Sequence, residues 1–143
     1  MPTQFDEYFV LAGHARTRDE AIREAGDLLL KNGKVQPEYV ESMFDRELSV
    51  STYMGNHLAI PHGTYEAAKY INGSALAVIR YEKPIEWDGE PVNFVVGIAG
   101  KDDSHLIALG RLAEIFSETE TVNQLLAAST LDQMVEIFHQ DAA

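Results

Sequence analysis

Cysteine is absent from the 143 residues, which removes disulfides, thiol nucleophiles and thiolate metal sites together. No uninterrupted apolar run approaches the ~20 residues that a membrane-spanning helix needs. Nothing at Met1 has the charged-then-apolar form of a secretory leader, so direct membrane insertion is not expected and the cytoplasm is the expected compartment. Basic side chains are scarce: 11 Lys and Arg stand against 23 Asp and Glu, a net charge of −12. Nucleic acid and anionic lipid would repel that charge, which argues against both as partners and points to a partner with a basic docking face. Internal repeats, low-complexity runs and linkers are lacking too.

What is present is an ordinary globular composition, 45% hydrophobic and 24% charged, over a length that suits one domain, 1–143. Phe9–Ala12 reads as a short strand. Thr17-Arg18-Asp19-Glu20 has the form of a capping box, and Ile22, Ala25, Leu28 and Leu29 behind it recur at helical spacing up to Asn32-Gly33. These predict a helix over residues 18–32. Pro37 opens a second helix with Tyr39, Val40, Met43 and Phe44 on one face, ending near Asp45-Arg46.

Residues 58–60 read as a strand, 66–70 as one or two helical turns, and 74–80 as a strand buried on both faces. Asp88-Gly89 is a turn dipeptide between Ile85-Glu86-Trp87 and Pro91-Val92, which predicts a hairpin running into a second apolar strand at 92–99. A helix follows at 104–117, with Leu106, Leu109, Leu112, Ala113 and Phe116 on one face and Asp102 or Asp103 as its N-cap. Residues 121–128 form another, and Thr130 to Gln133 is a second capping box ahead of a last helix through Val135 and Phe138. Strands alternating with helices predict an α/β fold, and the hairpin makes its sheet mixed, flanked by α-helices.

Five histidines are the first candidates for chemistry. Pro61 fixes its own backbone and drives Ile60 into an extended conformation, while Gly63 adds no bulk after His62. An imidazole at such a strand end has open space beside it. His57 lies five residues earlier; on an extended 57–62 the odd spacing sends the two rings to opposite faces, against a shared metal site. His105 falls in the first turn of the predicted 104–117 helix, where unpaired N–H groups and partial positive charge attract phosphate. Arg46, at the end of the second helix, carries a guanidinium able to hold two phosphoryl oxygens, or to complement the helix terminus or pair with Asp45 or Glu47. His14 and His139 read as surface residues. No cofactor or metal is expected, since neither paired histidines nor an Asp/Glu cluster suggests one. A metal-dependent hydrolase using His57, His62 or His105 is the rival reading.

Several segments taken together carry a family resemblance. They are Glu20-Ala21-Ile22, Tyr39-Val40 through Asp45-Arg46-Glu47, Thr52-Tyr53-Met54-Gly55, Ile60-Pro61-His62-Gly63-Thr64 with Glu66-Ala67, Val96-Gly97-Ile98-Ala99 and Ser104-His105-Leu106. Over residues 17–138 the chain resembles the enzyme IIA component of the bacterial phosphoenolpyruvate-dependent sugar phosphotransferase system, of the mannitol/fructose type, with the mannitol branch most alike. The resemblance implies a mixed sheet flanked by helices. It implies that His62 accepts a phosphoryl group at Nε2 from phospho-HPr and passes it to a cysteine of a IIB domain or IICB permease, taking up a sugar alcohol, mannitol. It makes His105 the second active-site histidine and Arg46 the active-site arginine. At Asn56 the chain departs from mannitol proteins that carry Glu there, and Gly-Asn is also familiar in nitrogen-regulatory IIA sequences. A regulatory or fructose-type IIA is therefore the alternative within the family.

Overall fold

Two apolar runs dictate the centre of the molecule. The computed structural model describes residues 5–101 and 103–140. Strand β4 (Ala75–Trp87) and strand β5 (Glu90–Ala99) pair antiparallel through a turn at Asp88-Gly89, both with positive φ, 53° and 93°. That turn geometry matches the twist of the strands it joins. Around this hairpin stand β1 (Asp6–Val10), β2 (Tyr53–Gly55) and β3 (Leu58–Ala59), in the sheet order β1-β4-β5-β3-β2. β1 runs parallel to β4 and β3 parallel to β5, whereas β2 and β3 are antiparallel. The sheet is mixed, as the hairpin required.

Side chains alternate across β4 and β5, so each strand feeds two cores. Ala75, Ala77, Ile79 and Val95 face α1 (Arg18–Lys31) and α2 (Pro37–Ser49), meeting Ile22, Ala25, Leu29, Val40 and Met43. Leu76, Val78, Phe94, Val96 and Ile98 face α3 (Ser104–Ser117), α4 (Thr119–Ala127) and α5 (Leu131–Gln140). All of these strand residues are at most 1% exposed, which explains why the two runs read as continuous apolar sequence rather than as alternation. Inside the second core lies a cation, Arg80, 6% exposed. It donates to the carbonyls of Leu11, Leu125, Leu126 and Ala128, three of them at the C-terminal end of α4, where the partial negative charge of the helix gathers.

The helix starts follow their caps. The Thr17 hydroxyl accepts from the Glu20 N–H at 3.2 Å and the Thr130 hydroxyl from the Gln133 N–H at 3.1 Å. The return bonds land one residue earlier than a capping box expects, on the N–H groups of Arg16 and Ser129. Asp103 occupies the N-cap of α3 without a side-chain bond, and Asp102 lies outside the described residues.

Several expected bounds shift. The first strand covers Asp6–Val10 rather than 9–12, because it is a half-buried edge strand with no uniform apolar signature. The second helix continues past Arg46 to Ser49. β4 extends through the polar stretch Glu82–Lys83 to Trp87. Residues 65–70 form a 3-10 helix, and the last two helices start or end within two residues of expectation.

Candidate active site

The three singled-out residues come from three segments: the chain just past β3, the first turn of α3 and the last turns of α2. Beyond β3 the chain continues alongside β5. The Ile98 N–H donates to the Pro61 carbonyl at 3.0 Å, and His62 pairs with Ile98 in an isolated parallel bridge. β5 ends at Ala99, and Gly100 turns the chain into α3. A Cβ on Gly100 would lie 2.6 Å from the His105 Cα and 2.7 Å from its N, so only glycine lets the first turn of α3 fold back so closely. The outcome is a pair of imidazoles, His62 and His105, with ring centroids 4.8 Å apart and planes tilted by 57°.

The loop carrying His62 is fixed by α2. The Tyr39 hydroxyl donates to the Ile98 carbonyl at 2.6 Å and accepts the Gly63 N–H at 2.9 Å. The Ser42 hydroxyl accepts the Thr64 N–H at 3.4 Å. Gly63 has to be glycine for this contact, since a Cβ there would lie 2.5 Å from both Ser42 Oγ and Tyr39 Cε1. Burial pushes the Tyr39 hydroxyl up to about 12, opposed by the Gly63 bond. It therefore stays protonated and able to serve as donor and acceptor at once.

His62 Nδ1 lies 2.7 Å from the Ile60 carbonyl oxygen. A carbonyl only accepts, so Nδ1 carries the proton and Nε2 keeps its lone pair. Burial holds the His62 ring below its usual 6.5, with the charges of His105 and Arg46 adding to the effect and the Ile60 carbonyl and Glu47 opposing it. Burial, then Arg46, lowers His105 in the same way. Both rings are thus neutral near pH 7, and His62 Nε2 is an available nucleophile.

Arg46 sits in the last turns of α2, its charge felt at both rings. Its Nη1 donates to the Val50 carbonyl at 2.7 Å, which steers the guanidinium along the end of the helix. The next residue, Glu47, is buried at 4% exposure. Near these groups in sequence, four large hydrophobic side chains stay exposed: Leu48, Val50, Tyr65 and Leu106, at 65–92%.

The other histidines lie elsewhere. His57 does not belong to an extended 57–62. With φ of +69° it follows Asn56 (φ +49°) in the tight turn between β2 and β3, and its Nδ1 meets Asn93 Oδ1 at 2.9 Å. The strand-parity premise fails; the contacts of His57 and His62 go to different partners, Asn93 and the Ile60 carbonyl. Asn56 donates from its amide to the Phe116 carbonyl at 2.7 Å, near the C-terminal end of α3. His14 is exposed; His139 is paired with the buried carboxylate of Glu7, which also holds Arg111. Among the described residues no cluster of three His, Asp or Glu side chains is placed to hold a metal ion.

Tyr39 and Ser42, which hold the His62 loop, and the buried Glu47 are neighbours of the site to which the sequence reading gives no role. Sequence reasoning places Tyr39 on the core face of its helix and in a family segment, with no partner for its hydroxyl. The usable signal was chemical, because a tyrosine at a core position needs a partner for its hydroxyl.

Residues 5–141 match the family described as phosphoenolpyruvate-dependent sugar phosphotransferase system, EIIA 2. The chain belongs to this family. Its relatives include the mannitol-specific phosphotransferase enzyme IIA component of Halalkalibacterium halodurans, 44% identical over 90% of this chain and 89% of that one. The protein of the same name from Staphylococcus aureus is 42% identical over 89% and 88%. Among solved structures, enzyme IIAMTL of Escherichia coli in its complex with phosphorylated enzyme IIBMTL superposes with a TM-score of 0.86. It is 31% identical, covering 92% of this chain and 94% of that one. The fold expected from the resemblance is thereby found.

Proposed function

We propose that the chain, as one IIA domain over 1–143, is a phosphocarrier for mannitol uptake in the cytoplasm. His62 Nε2 attacks the phosphorus of phospho-HPr. The P–N bond in HPr breaks as a new P–N bond forms at His62, and the HPr ring recovers its lone pair. In the second transfer the thiolate of a cysteine of the IIB domain or IICB permease attacks the same phosphorus; the P–N bond at His62 breaks as a P–S bond forms, and the His62 ring recovers its lone pair. The relatives named mannitol-specific, and the neighbour solved with phosphorylated IIB, support this choice of sugar and acceptor.

The observation that carries the reading is the Nδ1 bond of His62 to the Ile60 carbonyl. It sets the tautomer and leaves Nε2 free beside His105 and within the field of Arg46. As the lone pair becomes a P–N bond, positive charge develops on the ring and the Nδ1–H bond strengthens, which favours the transition state over the resting ring. His105 and Arg46 face the phosphoryl oxygens with hydrogen-bond donors and charge. The transition state of phosphoryl transfer is loose, so positioning and charge stabilisation supply most of the catalysis. The shallow, half-open placement of the ring suits a carrier that must also release its cargo.

Incubation with phosphoenolpyruvate, enzyme I and HPr is expected to label the protein with an acid-labile, base-stable phosphohistidine, and His62→Ala to remain unlabelled. Adding a mannitol IICB permease should then yield mannitol phosphate. Labelling without sugar phosphorylation would instead favour a regulatory role or a different sugar.

A further inference from the structure

We propose that Glu47 is a positioning residue for phosphoryl transfer, acting through Thr52 on both His62 and Arg46; this rests on the reading of His62 as the acceptor. Glu47 is next to Arg46 in sequence but turns inward, 4% exposed beside a Leu48 that is 78% exposed. Its carboxylate accepts three bonds: the Thr52 N–H at 2.8 Å, the Thr52 hydroxyl at 2.7 Å and the Trp87 indole N–H at 3.0 Å. A buried carboxylate is held this way only when its acceptors are filled. Trp87, wholly buried at the end of β4, anchors the carboxylate to the sheet.

Thr52 then passes the constraint on in two directions. Its carbonyl accepts the Ile60 N–H at 3.0 Å, and the Ile60 carbonyl is the group that holds His62 Nδ1 at 2.7 Å. Two residues back from Thr52, the Val50 carbonyl holds the Arg46 guanidinium at 2.7 Å. The Val50 side chain is 65% exposed, so apolar burial does little to fix that carbonyl. Thr52, itself 5% exposed, is the nearest buried anchor. One carboxylate thus sets the height of the carbonyl that fixes the His62 tautomer and the position of the carbonyl that steers Arg46. Neither contact touches the phosphoryl group. The dependence is indirect and runs through the backbone at Thr52.

The test uses the full chain with Glu47→Gln and Thr52→Val, each close in volume to the parent. Glu47→Gln replaces one acceptor oxygen by a donor facing donors; Thr52→Val removes one bond and keeps the other two. Ring ¹⁵N spectra at a pH where His62 is neutral should show a single Nδ1–H tautomer in the parent and a mixture in Glu47→Gln. Transfer from the phosphorylated protein to a mannitol IIB domain should fall about tenfold in kcat with KM nearly unchanged, in keeping with the sensitivity of such steps to small misplacements. Thr52→Val should fall between the two. A parental tautomer and parental kcat in both folded variants would overturn the proposal, as would a loss confined to KM. Failure of the underlying reading looks different, because His62→Ala would then still be labelled.

Discussion

The hydroxyl of Tyr39 and the amide of Gly63 lie 2.9 Å apart, joining the middle of α2 to the loop that presents His62. The same hydroxyl donates to the Ile98 carbonyl, so one oxygen ties helix, loop and strand together. Tyr39→Phe leaves a backbone N–H and a carbonyl without that partner in a buried site. Denaturant unfolding should show a loss of about 1–3 kcal/mol, and the labelling rate of His62 should fall in the protein that remains folded. An unchanged midpoint and rate would show that water replaces the hydroxyl.

The two imidazoles predict a specific pH response. Burial first, and then charge from His105 and Arg46, holds His62 below 6.5 in the folded state. The unfolded ring takes its proton near 6.5 while the folded ring waits for a lower pH, so between those values the unfolded state binds more protons. Stability therefore rises with pH through that window, levels off above it, and declines as pH falls. The labelling rate should likewise hold its value at 6.5 and drop only below it. A rate midpoint at or above 6.5 would contradict the geometry.

Arg46→Ala should move that midpoint upward, since the guanidinium is one of the charges that disfavour the imidazolium at both His62 and His105. It should also slow transfer, by about 10²-fold if the residue stabilises charge in the transition state as other single donors do. Arg46→Lys restores the charge but not the planar fork. A rate for Lys close to that of Ala would show that geometry rather than charge is used. Quench-flow measurement of transfer to IIB resolves the three proteins.

How far the site was visible in advance depends on where each signal lives. The Ile60-Pro61-His62-Gly63 segment announces itself because proline and glycine constrain backbone directly. The α3 bounds follow from its apolar periodicity, and 104–117 matches the element found. Residues whose role depends on a partner distant in sequence gave no local sign. Glu47 reads in sequence only as a possible partner for Arg46, because the indole that binds it comes 40 residues later. Arg80 likewise looked like the end of a strand until the carbonyls of α4 enclosed it. β2, three residues long with one glycine, has too few side chains to show a period.

Gly100→Ala is the most stringent test of the link between β5 and α3. The added methyl meets main-chain atoms of His105, which cannot rotate away, so the first turn of α3 has to move. Thermal or denaturant unfolding should register about 1–3 kcal/mol of overpacking, and the displaced His105 should reduce the transfer rate more than the stability loss explains. Circular dichroism with single-turnover labelling separates the two effects.

Arg80→Met probes the other core without approaching the histidines. Carbonyls of Leu11, Leu125, Leu126 and Ala128 lose their donor, a loss on the order of 3 kcal/mol for a buried charge-assisted cluster. Labelling of His62 per folded molecule should stay at the parental value. A parallel fall in labelling would mean that the α4 end and the site are coupled.

The group that orients His62 is a main-chain carbonyl two residues upstream. Codon changes can erase an aspartate or asparagine that aims a histidine in other proteins, but every amino acid supplies the same oxygen at position 60. The aim of His62 Nε2 is therefore shielded from direct mutation. Sequence drift reaches it only by bending the backbone, through the residues that hold Ile60 and Gly63 in place.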